Sequence, residues 1–506
     1  MKSWDFRARA RILLPISQRT NKNTCKKRYL NFKFLPLLFF EVHMSWANEE
    51  FKTLNIGDLR LNRRAIHLFD QIGFSPGRTF PQIFQTWREL KACYNFFDNI
   101  LVTGEKLLAP HIQNTIERIR QFPVVLLPCD TTELDYTTKD AMKGKERVTN
   151  QKEGIWLHPT LAVTPERLTL GIVEANFWHR NPEVADKSAA SKTARENAPI
   201  EEKESYRWLQ SYRKACEIAK LVPSTQLIHL ADREGDMMEI FEEAVKQRTQ
   251  GVHANFIIRS QYNRNIESET GCKLWDILKQ QASLGEIEFF IPATKKRKER
   301  KVIQSLKSTT ITVVRKNKQA EVNAVMAIET TPPDGEEPIV WVLITDLPIN
   351  TFENVKTVIS HYLCRWEIEL FFKVLKSGCK IEDRQLRTTN RMQNLITLFM
   401  VVSWRVMFTM MLGRSCPDLL CSDLFEEAEW KSVYKVLNRN KPIPEKAPTL
   451  GEFMIMIAIL GGYIRQKSGG PPGVKVIWKG MGRMKDFALA WEAATEASEI
   501  SIKTYG

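Results

Sequence analysis

Apolar positions recur with helical spacing over the first part of the chain and give way to short unbroken runs near residue 123. Between Trp46 and about Ile100 the repeat is three to four. Leu61, Ala65 and Leu68 share one stripe of Asp58–Gly73, with Arg60, Arg63 and Arg64 off it. A second helix is predicted over Gln85–Phe97, after the turn residues Gly77 and Pro81. From Pro123 the pattern reads as strands: Val124–Asp130, then GIWLHPTLAV and LTLGIVEANFW as antiparallel neighbours. A helix over Lys203–Val222, a strand over Thr225–Asp232, a helix within EGDMMEIFEEAVKQ and a strand in ANFIIRS follow. Three strands followed by alternating helix and strand predict an α/β fold, a mixed sheet flanked by helices.

Residues 264–349 are rich in β-type runs and read as an all-β insertion, with the basic run Lys295–Lys301 in a turn. A long helix is expected over about Val355–Lys376, more helices run to Leu412, and a polar connector (Asn438–Pro448) precedes a last helical segment. The 18 residues Leu395–Leu412 imitate a membrane span, but Arg405 near their centre would cost about 2.5–3.5 kcal/mol at mid-bilayer. They are expected to form a buried core helix, with no membrane association.

The 506 residues carry a formal charge of +15, which points to a polyanionic partner. More than half of that excess lies in residues 1–43, where ten Lys/Arg face two acids; this stretch reads as a disordered basic extension ahead of Met44. The nine cysteines are odd in number, scattered and never spaced Cys-x-x-Cys, so a zinc ribbon is excluded and a reducing, cytoplasmic setting is expected. No phosphate-binding Gly-x4-Gly-Lys-Ser/Thr loop, nucleophile elbow or His-Glu-x-x-His occurs.

Carboxylates remain. On a continuous helix at 100° per residue, Tyr362, Arg365, Glu369 and Lys376 fall within about 60° of arc. Cations and a hydroxyl for phosphate, beside a carboxylate for a metal, suit a phosphodiester site. An ordinary solvated face with an Arg365–Glu369 ion pair fits the same spacing, and Glu367 falls outside the stripe. Asp130 and Asp232 each end an apolar run, where ligands of α/β sheets gather. Glu133, Asp135 and Asp236 are rival acids that spacing alone does not exclude.

The full set Tyr362-x2-Arg365-x3-Glu369-x6-Lys376, with CDTTELDY around Asp130 and LADREGDM around Asp232, resembles the DDE (Asp-Asp-Glu) transposases of bacterial insertion sequences. The nearest subgroup is the Tn-five type of the IS-four family. The resemblance selects Asp130 over Asp135 and Asp232 over Asp236, and runs from WANEEF and GDLRLNRR to near the C-terminus. It implies an RNase H-like sheet in which Asp130, Asp232 and Glu369 bind two Mg²⁺ ions, with Mn²⁺ able to substitute. Tyr362, Arg365 and Lys376 would hold the DNA backbone, Trp341 would receive a flipped base, and Arg259 would touch DNA near the site. Arg60, Arg63 and Arg64 would contact phosphates of the terminal inverted repeat.

The implied organisation is a helical DNA-binding domain at 44–105 and a catalytic domain at 106–263 and 350–413. The insertion at 264–349 precedes the last catalytic helix, and a helical dimerisation region spans 414–506. The implied function is excision and insertion of a mobile element through hydrolysis and strand transfer, by way of a DNA hairpin. The implied partners are double-stranded end and target DNA and a second protomer in a paired-end complex, on a bacterial chromosome or plasmid. Two other readings are a catalytically silent DNA-binding and dimerising derivative, and a two-metal nuclease. The extension 1–43 has no counterpart in the family pattern, and Asn181–Ile200 and Cys416–Lys446 match it poorly.

Overall fold

The structure, a computed structural model, describes residues 45–504 except 85, 150, 179–197, 270, 292–298 and 466–469. The basic extension, most of Lys295–Lys301 and most of Asn181–Ile200 therefore lie outside the described residues. In chain order the elements begin with helices α1 (Trp46–Glu50), α2 (Leu59–Phe74), α3 (Phe80–Ile83), α4 (Trp87–Asp98) and α5 (Gly104–Ile119). Strands β1 (Val124–Pro128), β2 (Thr132–Asp135), β3 (Glu146–Thr149), β4 (Lys152–Val163) and β5 (Thr169–Trp178) follow. Next come α6 (Tyr206–Leu221), β6 (Gln226–Ala231), α7 (Met238–Thr249), β7 (Asn255–Arg259) and α8 (Leu274–Gln280). Four strands, β8 (Gly285–Ile291), β9 (Arg300–Arg315), β10 (Lys318–Glu329) and β11 (Val340–Thr345), precede α9 (Phe352–Leu363) and α10 (Trp366–Lys373). The chain closes with α11 (Thr389–Ser415), α12 (Glu427–Leu437), α13 (Leu450–Leu460) and α14 (Val474–Thr504). These elements form two compact units.

Unit one contains 123–129 and the described part of 188–366. Its strands β1, β6 and β7 are parallel, with Pro128 opposite Leu230 and Ala231 opposite Ile258. β11 pairs antiparallel with β7, and β10, β9 and β8 extend the sheet antiparallel. The segment expected to be an all-β insertion therefore continues the same sheet, and it includes the two-turn helix α8. Strands β1, β6 and β7 are mostly apolar, as strands covered by helices are; the Tyr212 hydroxyl, on α6, donates to the Ala254 carbonyl at 2.9 Å. Leu126, Ile228, Leu230, Ile257 and Leu343 form one core with Val355, Val358 and Ile359 of α9.

Unit two contains the described parts of 26–122, 130–187 and 367–506. Its strands β2, β3 and β5 all pair antiparallel with β4. α5 lies against β5 so closely that a Cβ on Gly171 would stand 1.9 Å from the Thr115 hydroxyl. α11 is long and apolar enough to cross a membrane, yet nearly all of it is buried inside the unit. Arg405 is the buried arginine of this helix, and its guanidinium lies 4.5 Å from the Trp46 ring centre. Burial lowers its pKa, opposed by Glu429, Asp70 and Glu426. The architecture is RNase H-like α/β, a mixed sheet flanked by helices with helical regions at both ends.

Candidate functional site

In unit one the strands end where the chemistry begins. The Cys129 N–H still bonds the Leu230 carbonyl at 3.1 Å, and Asp130 and Asp232 are the residues that follow Cys129 and Ala231. Asp232 caps the turn after β6, its carboxylate accepting from the Glu234 N–H at 2.8 Å. Around it stand Arg233, Arg259, Tyr362 and Arg365. Burial pulls the Arg259 pKa down, while Tyr362 and Asp232 oppose that and Arg233 and Arg365 add to it. Tyr362 is 5% exposed, and burial raises its hydroxyl pKa against the pull of Arg365 and Arg259. Its ring meets Trp341 edge-on at 6.3 Å. Asp232, Arg259, Trp341, Tyr362 and Arg365 are thus brought into one neighbourhood.

Asp130, Glu369 and Lys376 belong to unit two. The Asp130 carboxylate accepts from the Thr131 N–H at 2.8 Å, and the Thr131 hydroxyl is 2.8 Å from Nδ1 of buried His158. Glu369 is exposed on α10. Lys376 lies on a π-helical turn, Val374–Gly378, of a kind frequent at functional sites. Its ammonium donates to the Glu133 carbonyl and is 3.5 Å from Glu382.

The long helix of the sequence reading is in fact interrupted. α9 ends at Leu363, Cys364 and Arg365 form a turn, α10 runs only to Lys373, and the π turn follows. A single 100° wheel therefore does not place all four signature side chains on one face. Glu367, which the wheel left unexplained, is buried and paired with Arg167 at 3.2 Å.

The rival acids have other work. Asp236 is 4% exposed, and its carboxylate accepts from the Gln261 N–H at 2.7 Å and Arg264 Nε at 2.7 Å. Asp135 binds the Thr137 hydroxyl at 2.7 Å, which lowers its pKa, and Glu133 pairs with Lys152 at 3.1 Å. As for a metal, Asp130, Asp232 and Glu369 are the hard oxygen donors that Mg²⁺ prefers. Among the described residues, however, no three His, Cys, Asp or Glu side chains are gathered closely enough to hold one. The donor chemistry fits a divalent cation; an assembled three-ligand cage is not present.

The N-terminal arginines look less uniform than the sequence implied. The Arg60 guanidinium turns back to its own N-cap, Asp58, at 2.8 Å, Arg63 is exposed, and Arg64 is half-buried. The sequence predicted α4 as a helix over Gln85–Phe97 but did not single out its exposed face. Its buried face is Cys93, Phe96 and Phe97, whereas Trp87, Arg88, Lys91, Tyr94 and Asn95 are all exposed. Those five lie within about 120° of arc, and Asp98 at the end of the stripe is neutralised by Arg391 at 2.7 Å. The signal was available: aromatic residues spaced with cations and an amide on one helical face.

An acid thus follows each of the paired parallel strands β1 and β6. Three family models match the chain in order: transposase DNA-binding over residues 43–102, transposase DDE domain over 242–404, and transposase Tn5 dimerisation domain over 401–501. Together they cover more than half of the sequence, and the chain belongs to the DDE transposases of the Tn5 type. It is a DNA-cleaving and DNA-joining enzyme that binds DNA and dimerises, and its family uses divalent metal. The DDE match contains Glu369 but begins after Asp130 and Asp232. Among solved structures, a cryo-EM structure of the piggyBac transposase synaptic complex with hairpin DNA is similar at TM-score 0.34 and 8% identity. That likeness covers 87% of this chain and 81% of the other.

Proposed function

We propose that this chain excises and inserts its own insertion-sequence element, using Asp130, Asp232 and Glu369 to hold two Mg²⁺ ions, with Mn²⁺ as a substitute. When bound, such a pair supplies Lewis acidity to the attacking and leaving oxygens. The protein's own groups do the rest. Arg365, Lys376 and Arg259 neutralise the backbone phosphate, the Tyr362 hydroxyl donates to a phosphate oxygen, and Trp341 offers a face on which an extruded base stacks. Water first frees a 3′-hydroxyl, which attacks the opposite strand to close a hairpin. Water reopens the hairpin, and the hydroxyl then attacks target DNA. The observation that carries this reading is the convergence of Asp232, Arg259, Tyr362 and Arg365 at the end of β6.

In this reading residues 44–105 bind the terminal inverted repeats, 106–263 with 350–413 form the catalytic domain, 264–349 are an insertion, and 414–506 pair two protomers across the ends. Phosphate contacts fall to Arg63, Arg64 and Arg60, with the exposed stripe of α4 as the larger basic and aromatic surface. The enzyme works in the bacterial cytoplasm, on chromosome or plasmid. A supercoiled plasmid carrying the element's own inverted repeats tests it: Mg²⁺-dependent excision is expected, abolished by Asp130→Ala. No cleavage with Mg²⁺ or Mn²⁺, or excision that survives that substitution, defeats the proposal.

One observation favours a second reading, a protein that binds and pairs DNA ends without cutting: among the described residues no three acids are gathered into a cage. Carboxylates repel without a cation between them, so the open arrangement also suits an unloaded enzyme. End binding without metal-dependent cleavage selects the second reading.

A further inference from the structure

We propose that Arg167 and Glu367 are positioning residues that set the rotation of α10 and hence the direction in which Glu369 points. This rests on the proposed catalytic role of Glu369.

Helix α10 is only eight residues long. It begins after the Cys364–Arg365 turn and gives way to a π turn, so neither neighbour extends its axis as regular α-helix. Ile368 and Phe371, both 0% exposed, anchor it in the apolar interior, but apolar contacts are not directional and tolerate some rolling. A buried carboxylate is less tolerant, because it must keep its cation. Glu367 Oε1 stands 3.2 Å from Arg167 Nη1, with its side chain 7% exposed. Its other oxygen is buried with no hydrogen-bond partner among the described residues.

At the other end of the pair the backbone is held in place. Arg167 sits in the tight β4–β5 connection at φ 71°, a left-handed conformation uncommon outside glycine. Its N–H donates to the Thr164 carbonyl at 2.8 Å, and the Thr164 N–H donates to the Leu168 carbonyl at 2.9 Å. Glu367 and Glu369 are two positions apart, about 200° around a helix. Holding the first inward to Arg167 therefore turns the second outward, and Glu369 is indeed exposed.

The test pairs metal binding with cleavage, using full-length protein on duplex carrying the element's end. Arg167→Leu is expected to weaken Mn²⁺ binding, read as free Mn²⁺ by electron paramagnetic resonance, at least fivefold. Mg²⁺-supported nicking should fall tenfold or more and recover partly in Mn²⁺, while Arg167→Lys, which keeps the charge, should restore most of both. Ile172→Ala, a core truncation in β5, serves as the stability control: it should lower the melting temperature without altering Mn²⁺ affinity. If Arg167→Leu binds Mn²⁺ as tightly as Ile172→Ala does, the pair is merely structural and the inference is overturned. Glu369→Gln separates the two levels. Normal nicking by that variant removes the catalytic reading itself, whereas a silent Glu369→Gln beside a normal Arg167→Leu removes only the positioning role.

Discussion

Tyr362 and Arg365, in unit one, are 5% and 8% exposed and stand with Arg259 near Asp232, whereas Glu369 and Lys376, in unit two, are exposed or half-exposed. All four come from one short stretch of sequence. In the first region the side chains are desolvated and constrain one another, so their geometry exists before any DNA arrives. In the second, geometry depends on what holds the backbone: a short helix, a π turn and a hydrogen bond from Lys376 to the Glu133 carbonyl. One signature thus combines a prebuilt buried cluster with a more adjustable acid and cation.

Substituting the acids should give the largest effects. Asp232→Asn and Glu369→Gln are each expected to lower the excision rate about a thousandfold, on the scale of losing a preorganised electrostatic group, with end binding by gel shift retained. A surviving rate in either region would break the symmetry of roles assigned to the acids. The two basic residues then separate the regions. Arg365→Ala should destabilise the protein by about 3 kcal/mol in urea unfolding, because it disrupts a buried charged cluster. Lys376→Ala should cost less than about 1 kcal/mol while still reducing cleavage. Equal stability losses would erase the distinction.

A third prediction concerns pH. Burial raises the Glu429 carboxyl from 4.5 to about 7, with Arg405 opposing most strongly. Because the folded pKa exceeds the unfolded one, this contribution is complete below about pH 4.5. It is lost as pH climbs through about 7, a change on the order of 3 kcal/mol. Glu429→Gln should flatten that slope in melting experiments between pH 5 and about 8. The smallest effects belong to the surface. Lys91→Ala should reduce the salt dependence of end binding by about one counterion, and Arg60→Ala, whose guanidinium already pairs with Asp58, should do less.

Much of this was legible beforehand. The apolar runs marked β1, β4, β5, β6 and β7 because buried strands need unbroken hydrophobicity, and the strand-end acids followed from them. β2 and β3 escaped notice: TELD and ERVT are short, polar and held by pairing with β4. The break at Cys364–Arg365 was invisible because nothing in HYLCRWEIEL is a helix breaker; tertiary packing of Tyr362 and Glu367 into different surroundings overrides local propensity. Arg167 could not be linked to Glu367 across 200 residues without coordinates.

The placement of Arg405 over Trp46 has a consequence for how the molecule is made. The ring near the front of the chain rests on a cation that leaves the ribosome some 360 residues later, and the Val102 carbonyl likewise waits for Asn394. The front module of a nascent chain therefore lacks its floor until α11 has emerged, and fragments ending before Thr389 should expose that module's apolar underside to proteases.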